Sequence, residues 1–351
     1  MRTPYRVIDM AVLAVGLVAC GDAAAPEARL DWPTAEPAEV GMDADMLSAA
    51  DRHIRDSLPN INAFLVVRHG KLVLEGYYQR TNRGTLHPTR SMTKSVVGAL
   101  TGVALAQGWL DSVEQPLATI LPEYFDATVP VDRRYITPHE LLTMSSGLAY
   151  DSLGTDPING SWISAFLHGP SIASPGARFF YDSSNPHLLS AAITVQTGRT
   201  LADLAVETLF RPLGIEVYTW PADPEGFSIG STGLYLSAQD QAKLGELYLR
   251  DGVWEGQRLL PVGWVEASTT PWFDLTYGDG YGYLWWTIGG LETQIYAAVG
   301  YRQQWILVLP EFDLVVVIAS ESSDLRGPER EHFHLLYRYV LPAIPGAPVP
   351  P

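Results

Sequence analysis

Hydrophobic and polar positions follow two rhythms along this chain, and the change from one to the other sets its layout. From Asp43 to Leu58 apolar residues fall at Met46, Leu47, Ala50 and Ile54, the spacing of a helix with one buried face. Ile61 to Val67 and Leu72 to Tyr78 are apolar runs on either side of His69-Gly70-Lys71, which predicts two strands and a tight turn and assigns His69 to that turn. Thr89 to Leu110 reads as a helix of small and apolar residues with its stop at Gly108. Thr137-Pro138-His139-Glu140 places Thr at a helix cap, Pro in the first position and Glu three residues after the cap, so its side chains can cap each other's backbone. That helix stops at Met144-Ser145-Ser146-Gly147. Thr200-Leu201-Ala202-Asp203 and Ser237-Ala238-Gln239-Asp240 repeat the start signal, the second helix ending near Gly252. After a stretch of Gly and aromatics from Tyr277 to Trp286, strand-like runs follow at Leu291 to Val299, Gln304 to Leu309 and Leu314 to Ala319. Pro310-Glu311 turns the chain between the last two, and Glu329 to Leu341 predicts a closing helix.

Strands therefore come from both ends of the sequence and helices from its middle. The expected architecture is α/β (α+β): an antiparallel sheet built from both termini, flanked by helices, with a mostly helical lobe inserted. The sheet lobe is assigned to 41–90 and 230–341 and the helical lobe to 91–229. Residues 20–40, rich in Ala, Pro and Glu, read as a tether with folding beginning near Gly41, and 342–351 read as a loose Pro-rich tail.

With 351 residues, 47% of them hydrophobic, the chain can bury one large core or two lobes. Arg2 and Arg6 precede an apolar run from Met10 to Ala19, which ends at Cys20-Gly21. This resembles a bacterial lipoprotein signal, with cleavage after residue 19 and a lipid on Cys20; the run is too short for a comfortable membrane span. Cys20 is the only cysteine, which excludes an intrachain disulfide. Gly21 after it, by resemblance to sorting rules, favours the outer membrane, so the expected address is the cell envelope, facing the periplasm. The net charge of −16 would become −17 on losing Arg2, Arg6 and Asp9. A surface that acidic argues against nucleic acid and against electrostatic docking on anionic lipid, and leaves the anchoring to the lipid.

Chemistry enters with Ser91 and Lys94. Three apart at the start of a helix, they share a face, so the hydroxyl and the amine can touch as nucleophile and base. Ser-x-x-Lys alone is a weak signal, but lysine usage sharpens it. Only Lys71, Lys94 and Lys243 are lysines among 23 basic residues, and Lys, unlike Arg, can give up its proton. Gly226-Phe227-Ser228-Ile229-Gly230 fits the Gly-x-Ser-x-Gly nucleophile elbow, yet that elbow needs a strand directly before and a helix directly after. Pro221-Ala-Asp-Pro-Glu precedes it and the next helix waits until Ala238, so Ser228 is set aside. His332 and His334 stand two apart with no third ligand in view, and the reading calls for no metal and no cofactor. Tyr181 falls where the stretch from Ser174 turns into a helix start.

Taken together, these stretches resemble the serine hydrolases of the class C β-lactamase and penicillin-binding-protein family. The resemblance runs from about Trp32 to Leu341, through Val66-Val67-Arg68-His69-Gly70, the Ser91 motif, Leu141 to Leu148, Pro212-Leu213-Gly214 and Pro310-Glu311. Tyr281 to Trp286 looks most like its esterase and 6-aminohexanoate-dimer-hydrolase-like branch. The resemblance implies that Ser91 forms an acyl-enzyme, with Lys94 and Tyr181 as general base and acid. It also implies an oxyanion hole from the backbone N–H groups of Ser91 and Tyr301. Two departures stand out. The family's Tyr-x-Asn is here Tyr181-Asp182-Ser183, and Ala298-Val299-Gly300 replaces Lys-Thr-Gly, removing the cation that faces a substrate carboxylate in β-lactam-recognising members. Ser183, Gly300 and Arg302 become candidate substrate contacts, and Trp285 and Trp286, with Tyr283, candidate walls of an apolar acyl pocket. The expected substrate is an ester or small amide. The alternatives are D-alanyl-D-alanine peptidase or β-lactamase activity, and a lipid-anchored binding protein without turnover.

Overall fold

The computed structural model describes residues 32–153, 160–275, 279–289, 293–321 and 334–348. Cys20 with its leader, Tyr277, Leu291, His332 and the start of the helix expected from Glu329 lie outside these residues.

The two runs around His69-Gly70 form β1 (Ile61–Arg68) and β2 (Lys71–Tyr77). Their two-residue turn has φ of 52° at His69 and 71° at Gly70, positive at both centres as a turn matching strand twist requires. His69 Nδ1 meets Asp313 at 2.9 Å, a role in the turn. Short ladders follow through the chain: β3 (His87–Pro88) with β4 (Tyr235–Leu236), and β5 (Val253–Trp254) with β6 (Gln257–Arg258). The C-terminal strands are β7 (Phe273–Asp274), β8 (Gly280–Tyr281), β9 (Trp286–Ile288), β10 (Ile295–Gly300), β11 (Gln304–Leu309) and β12 (Leu314–Ser320). One eight-stranded sheet runs β2-β1-β12-β11-β10-β9-β8-β7, with antiparallel neighbours throughout. Strands from both ends of the chain therefore meet at β1 and β12, as the hydrophobic pattern required.

Burial on both faces explains why the central strands are apolar without interruption. Ala63, Leu65 and Val67 of β1 and Val315, Val317 and Ala319 of β12 enter the larger core; Phe64, Val66, Val316 and Ile318 enter the smaller one. The smaller core is closed by α1 (Ala44–Ser57), which presents Leu47, Ala50 and Ile54, and by the C-terminal segment around Leu335, Leu336 and Val340. Asp43 caps α1 by accepting from the N–H groups of Asp45 and Met46.

The remaining helices are α2 (Thr93–Ala106), α3 (Leu117–Ile120), α4 (Pro138–Leu142), α5 (Trp162–His168), α6 (Ser184–Thr197), α7 (Leu201–Ala205), α8 (Ala238–Leu249) and α9 (Trp264–Thr269). Thr137, Thr200 and Ser237 cap α4, α7 and α8 through their side chains, each as the start signals indicate. Two of these helices are buried on every side, α2 from Thr93 to Ala104 and α6 from Ser184 to Ile193, and α2 carries Lys94. Its small residues allow this. A side chain at Gly102 would begin 2.5 Å from the Trp264 ring, and one at Gly98 3.0 Å from the Tyr283 carbonyl.

Both proposed loose ends are corrected within the described residues. Trp32 is buried and donates to the Gly70 carbonyl at 2.9 Å; Leu72 donates to Pro33 and Ala35 to Leu72 along the edge of β2. Residues from Trp32 onward are thus already packed on the fold, before Gly41. At the other end Ala343 and Ile344 are buried, and Ala343 accepts from the Asp43 N–H at 2.8 Å, so packing continues past Leu341.

Candidate active site

The chain reaches Ser91 through a tightly held entry. His87 pairs with Leu236 across β3 and β4, Thr89 N and Oγ1 both donate to the Leu234 carbonyl, and Arg90 adopts a left-handed φ of 52° that turns the strand into a 3-10 turn over Arg90–Met92. Such a conformation costs a non-Gly residue about 1 kcal/mol and is held by its surroundings. One of those surroundings is the tip of β10. A Cβ on Gly300 would lie 2.3 Å from the Thr89 carbonyl oxygen, so only glycine lets the strand pass this closely.

Continuing from this turn into α2, the backbone brings Lys94 over Ser91. Lys94 Nζ donates to Ser91 Oγ at 3.0 Å and to the Ser231 carbonyl at 2.7 Å, and the side chain is only 2% exposed. No ion pair to Lys94 exists among the described residues, so its two oxygen neighbours are a hydroxyl and a carbonyl. Its amine also stands 5.0 Å from the centre of the Tyr181 ring. The structure thus brings together the three residues that the sequence singled out. Tyr181 itself is wedged among aromatics: it stacks on Trp286 at 5.6 Å and meets the edge of Tyr281 at 6.1 Å, while Phe179 packs against both. Burial, reinforced by the proximity of Tyr181, holds the Tyr281 phenol well above its ordinary pKa, so it stays neutral.

Asp182 turns away from this centre. It is fully buried, accepts from Ser184 N at 2.9 Å and from Asp151 N at 2.8 Å, and Asp151 in turn accepts from Ser183 N at 2.9 Å. Burial raises the Asp182 pKa despite these donors, and the residue ties the start of α6 to the loop at Asp151. Ser183 is half-buried at the α6 cap position and makes no side-chain capping bond.

The other candidates divide. Tyr301 is 52% exposed in the turn between β10 and β11. Arg302 leans on its ring and pairs with Glu321 at 3.2 Å, so its charge is already engaged. Trp286 reaches Tyr181, but Trp285 does not: it is buried against Tyr248, with ring centres 4.3 Å apart, and against Tyr296. It lines a small cavity behind α2, together with Met92, Val96 and Gln241. Tyr283 likewise stacks on Trp272, and its hydroxyl meets His139 at 2.9 Å. Trp285 and Tyr283 are therefore withdrawn as pocket walls; Leu284 between them is left-handed, with φ of 60°. Ser228 is buried between turns, accepting from Ala202 N and receiving Ser190 Oγ on its carbonyl, with no strand-to-helix elbow. The Ser231 carbonyl and the aromatics Phe179 and Tyr281 were missed, although Phe179-Phe180-Tyr181 is visible as an aromatic run.

Known proteins decide the family. The profile of the Beta-lactamase family matches residues 60–339, four-fifths of the chain. The chain belongs to the Beta-lactamase family. Within it, the sequence is 26% identical over 337 residues to a 6-aminohexanoate-dimer hydrolase of Paenarthrobacter ureafaciens, covering 88% of this chain and 84% of that protein. Among solved structures, a penicillin-binding protein from Bacillus halodurans superposes with a TM-score of 0.62 at 20% identity, covering 79% of this chain and 95% of that one. A D-stereospecific amidohydrolase from a Streptomyces species gives 0.61 at 16% identity, covering 77% and 93%. At such identities the superpositions speak for the shared fold.

Proposed function

We propose that this β-lactamase-family protein is a serine hydrolase that cleaves an ester or small amide through an acyl-enzyme on Ser91. The observation that carries the reading is the 3.0 Å contact between Ser91 Oγ and a buried Lys94 amine that has no carboxylate partner among the described residues. A lysine buried against a hydroxyl is placed to take its proton.

In this mechanism Lys94 Nζ accepts the Ser91 proton as Oγ bonds to the substrate carbonyl carbon. The resulting oxyanion is received by the N–H groups of Ser91 and Tyr301. When the intermediate collapses, Tyr181 delivers a proton to the departing alkoxide or amine, leaving the acyl group on Ser91. Water then attacks that ester, losing its proton to the same pair, which returns a proton to Ser91 Oγ as the acid is released. The engaged Arg302 and the absent Lys-Thr-Gly lysine favour substrates without a carboxylate beside the scissile bond. A 6-aminohexanoate-dimer hydrolase among the relatives supports including short linear amides. The lipid anchor on Cys20 and the envelope address complete the proposal, placing the hydrolase on the periplasmic side of a membrane.

Intact-mass spectrometry tests the reading. Protein starting after Cys20 is incubated in parallel with a fluorophosphonate and with benzylpenicillin, beside Ser91→Ala. A fluorophosphonate adduct absent from the variant, no penicilloyl adduct and no chromogenic cephalosporin turnover are expected. A stable penicilloyl adduct would move the protein to the cell-wall peptidases, and folded protein inert to both reagents would refute hydrolysis at Ser91.

A further inference from the structure

The Gly226 to Gly230 motif, set aside as an elbow, ends one residue before the carbonyl that receives Lys94. Its loop is stapled to α6. Asp223 Oδ1 accepts from the N–H groups of Glu225 and Phe227, both at 2.9 Å, which closes the loop on itself. Asp223 Oδ2 meets His187 Nε2 at 3.0 Å, with the two side chains 0% and 1% exposed. Gly230 N donates to His187 Nδ1 at 3.2 Å, and Ser190 Oγ donates to the Ser228 carbonyl at 2.6 Å.

The direction of these bonds fixes the chemistry of His187. A backbone N–H can only donate, so Nδ1 must present its lone pair, and Nε2 must carry the proton and donate to Asp223. Both ring nitrogens are thereby used in the neutral form. Gly230 lies so flat on the first turn of α6 that a Cβ there would fall 2.2 Å from the Pro186 carbonyl oxygen. The next residue, Ser231, offers its carbonyl to Lys94 at 2.7 Å. Immediately before α6 comes Tyr181. The same helix end therefore sets both Tyr181 and the acceptor of Lys94.

We propose that the buried His187–Asp223 pair is a positioning device for Lys94, fixing the Gly230-Ser231 backbone so that the Ser231 carbonyl holds the amine over Ser91 Oγ. The proposal rests on the reading of Lys94 as the proton acceptor of Ser91. His187 touches no reacting atom; it acts through one hydrogen bond to Gly230.

The test is fluorophosphonate labelling of Ser91, resolved into a maximal rate and a half-saturating concentration. His187→Phe keeps ring contacts with Trp162 and Phe166, now 5.2 and 5.7 Å between centres, but loses both hydrogen bonds. Its maximal rate should fall about 10- to 100-fold, with the half-saturating concentration within about threefold of the parent. His187→Asn restores an acceptor near Gly230 N and should recover to within about threefold of the parent rate, whereas His187→Gln, which keeps only a donor toward Asp223, should stay slow. A role confined to packing predicts the opposite order, with Phe the best replacement. Folded His187→Phe labelling at the parent rate, or Asn no faster than Gln, overturns the proposal; should His187→Phe not fold, the Asn and Gln pair decides. Parent protein that labels no faster than Ser91→Ala overturns the Ser91 reading itself, before any His187 variant is compared.

Discussion

His87 is where acid should first weaken the entry to the nucleophile. It sits in β3, four residues before Ser91, 2% exposed, and its Nε2 has no hydrogen-bond partner among the described residues. Burial pushes its pKa down from 6.5 to about 4, with the charge of Glu321 opposing that shift. The unfolded chain takes up this proton as pH falls through about 6.5, whereas the folded protein does not until about 4. Between those values the unfolded state binds more protons, so stability is lost on acidification within the window and is unaffected above it. At about 1.4 kcal/mol per pH unit the full window is worth roughly 3 kcal/mol, a large share of a typical folding free energy. Urea unfolding followed by tryptophan fluorescence, stepped from about pH 7 to about pH 4, should show it. The parent should lose roughly 3 kcal/mol more than His87→Gln, whose amide stays uncharged throughout; carboxylates titrate in both proteins and cancel. Equal slopes for parent and variant would refute the argument.

Two further substitutions separate the site from its support. Gly300→Ala places a methyl 2.3 Å from the Thr89 carbonyl oxygen and 2.8 Å from Gln304 Cβ, so the β10 tip must retreat from the Ser91 turn. Fluorophosphonate labelling should slow at least about tenfold and stability drop by about 1–3 kcal/mol in urea, and labelling at the parent rate would contradict the close approach. Trp285→Ala should cost about 3–5 kcal/mol in denaturant while its folded fraction labels normally, whereas Trp286→Ala should slow ester turnover with a smaller stability loss, because it frees the ring of Tyr181. The reverse pattern would return Trp285 to the pocket.

What the sequence disclosed about fold and site follows the range of each signal. Asp43, Thr137, Thr200 and Ser237 cap helices by bonds to N–H groups two or three residues on, so a short window contains the whole device. Ser91 and Lys94 meet for the same reason, being one helical turn apart. The missed contacts are remote. Ser231 lies 137 residues from the amine it receives, and Asp223 lies 36 from His187, with nothing local to mark either partner. Trp32 shows another kind of blindness. Its neighbours have the composition of a tether, but Pro33 and Ala35 are held on β2 by backbone groups, which every sequence carries and no composition advertises.

The candidate site is assembled by two close approaches of backbone to backbone. The 3-10 turn carrying Ser91 runs against the β10 tip at Gly300, and the strap carrying the Lys94 acceptor runs against α6 at Gly230. Each approach is closer than a side chain permits, so neighbouring backbone fixes the geometry around Ser91 and Lys94 more firmly than any charge pair on the surface could. The pair of Arg302 with Glu321, 35% and 41% exposed, is of the kind worth at most about 1 kcal/mol. Neutralising Arg302 should therefore leave Ser91 labelling nearly intact, while one methyl at Gly300 should not. If instead Arg302→Gln slowed labelling as much as Gly300→Ala, charge rather than backbone approach would govern the site, and the place of Arg302 would have to be drawn again at the reacting centre.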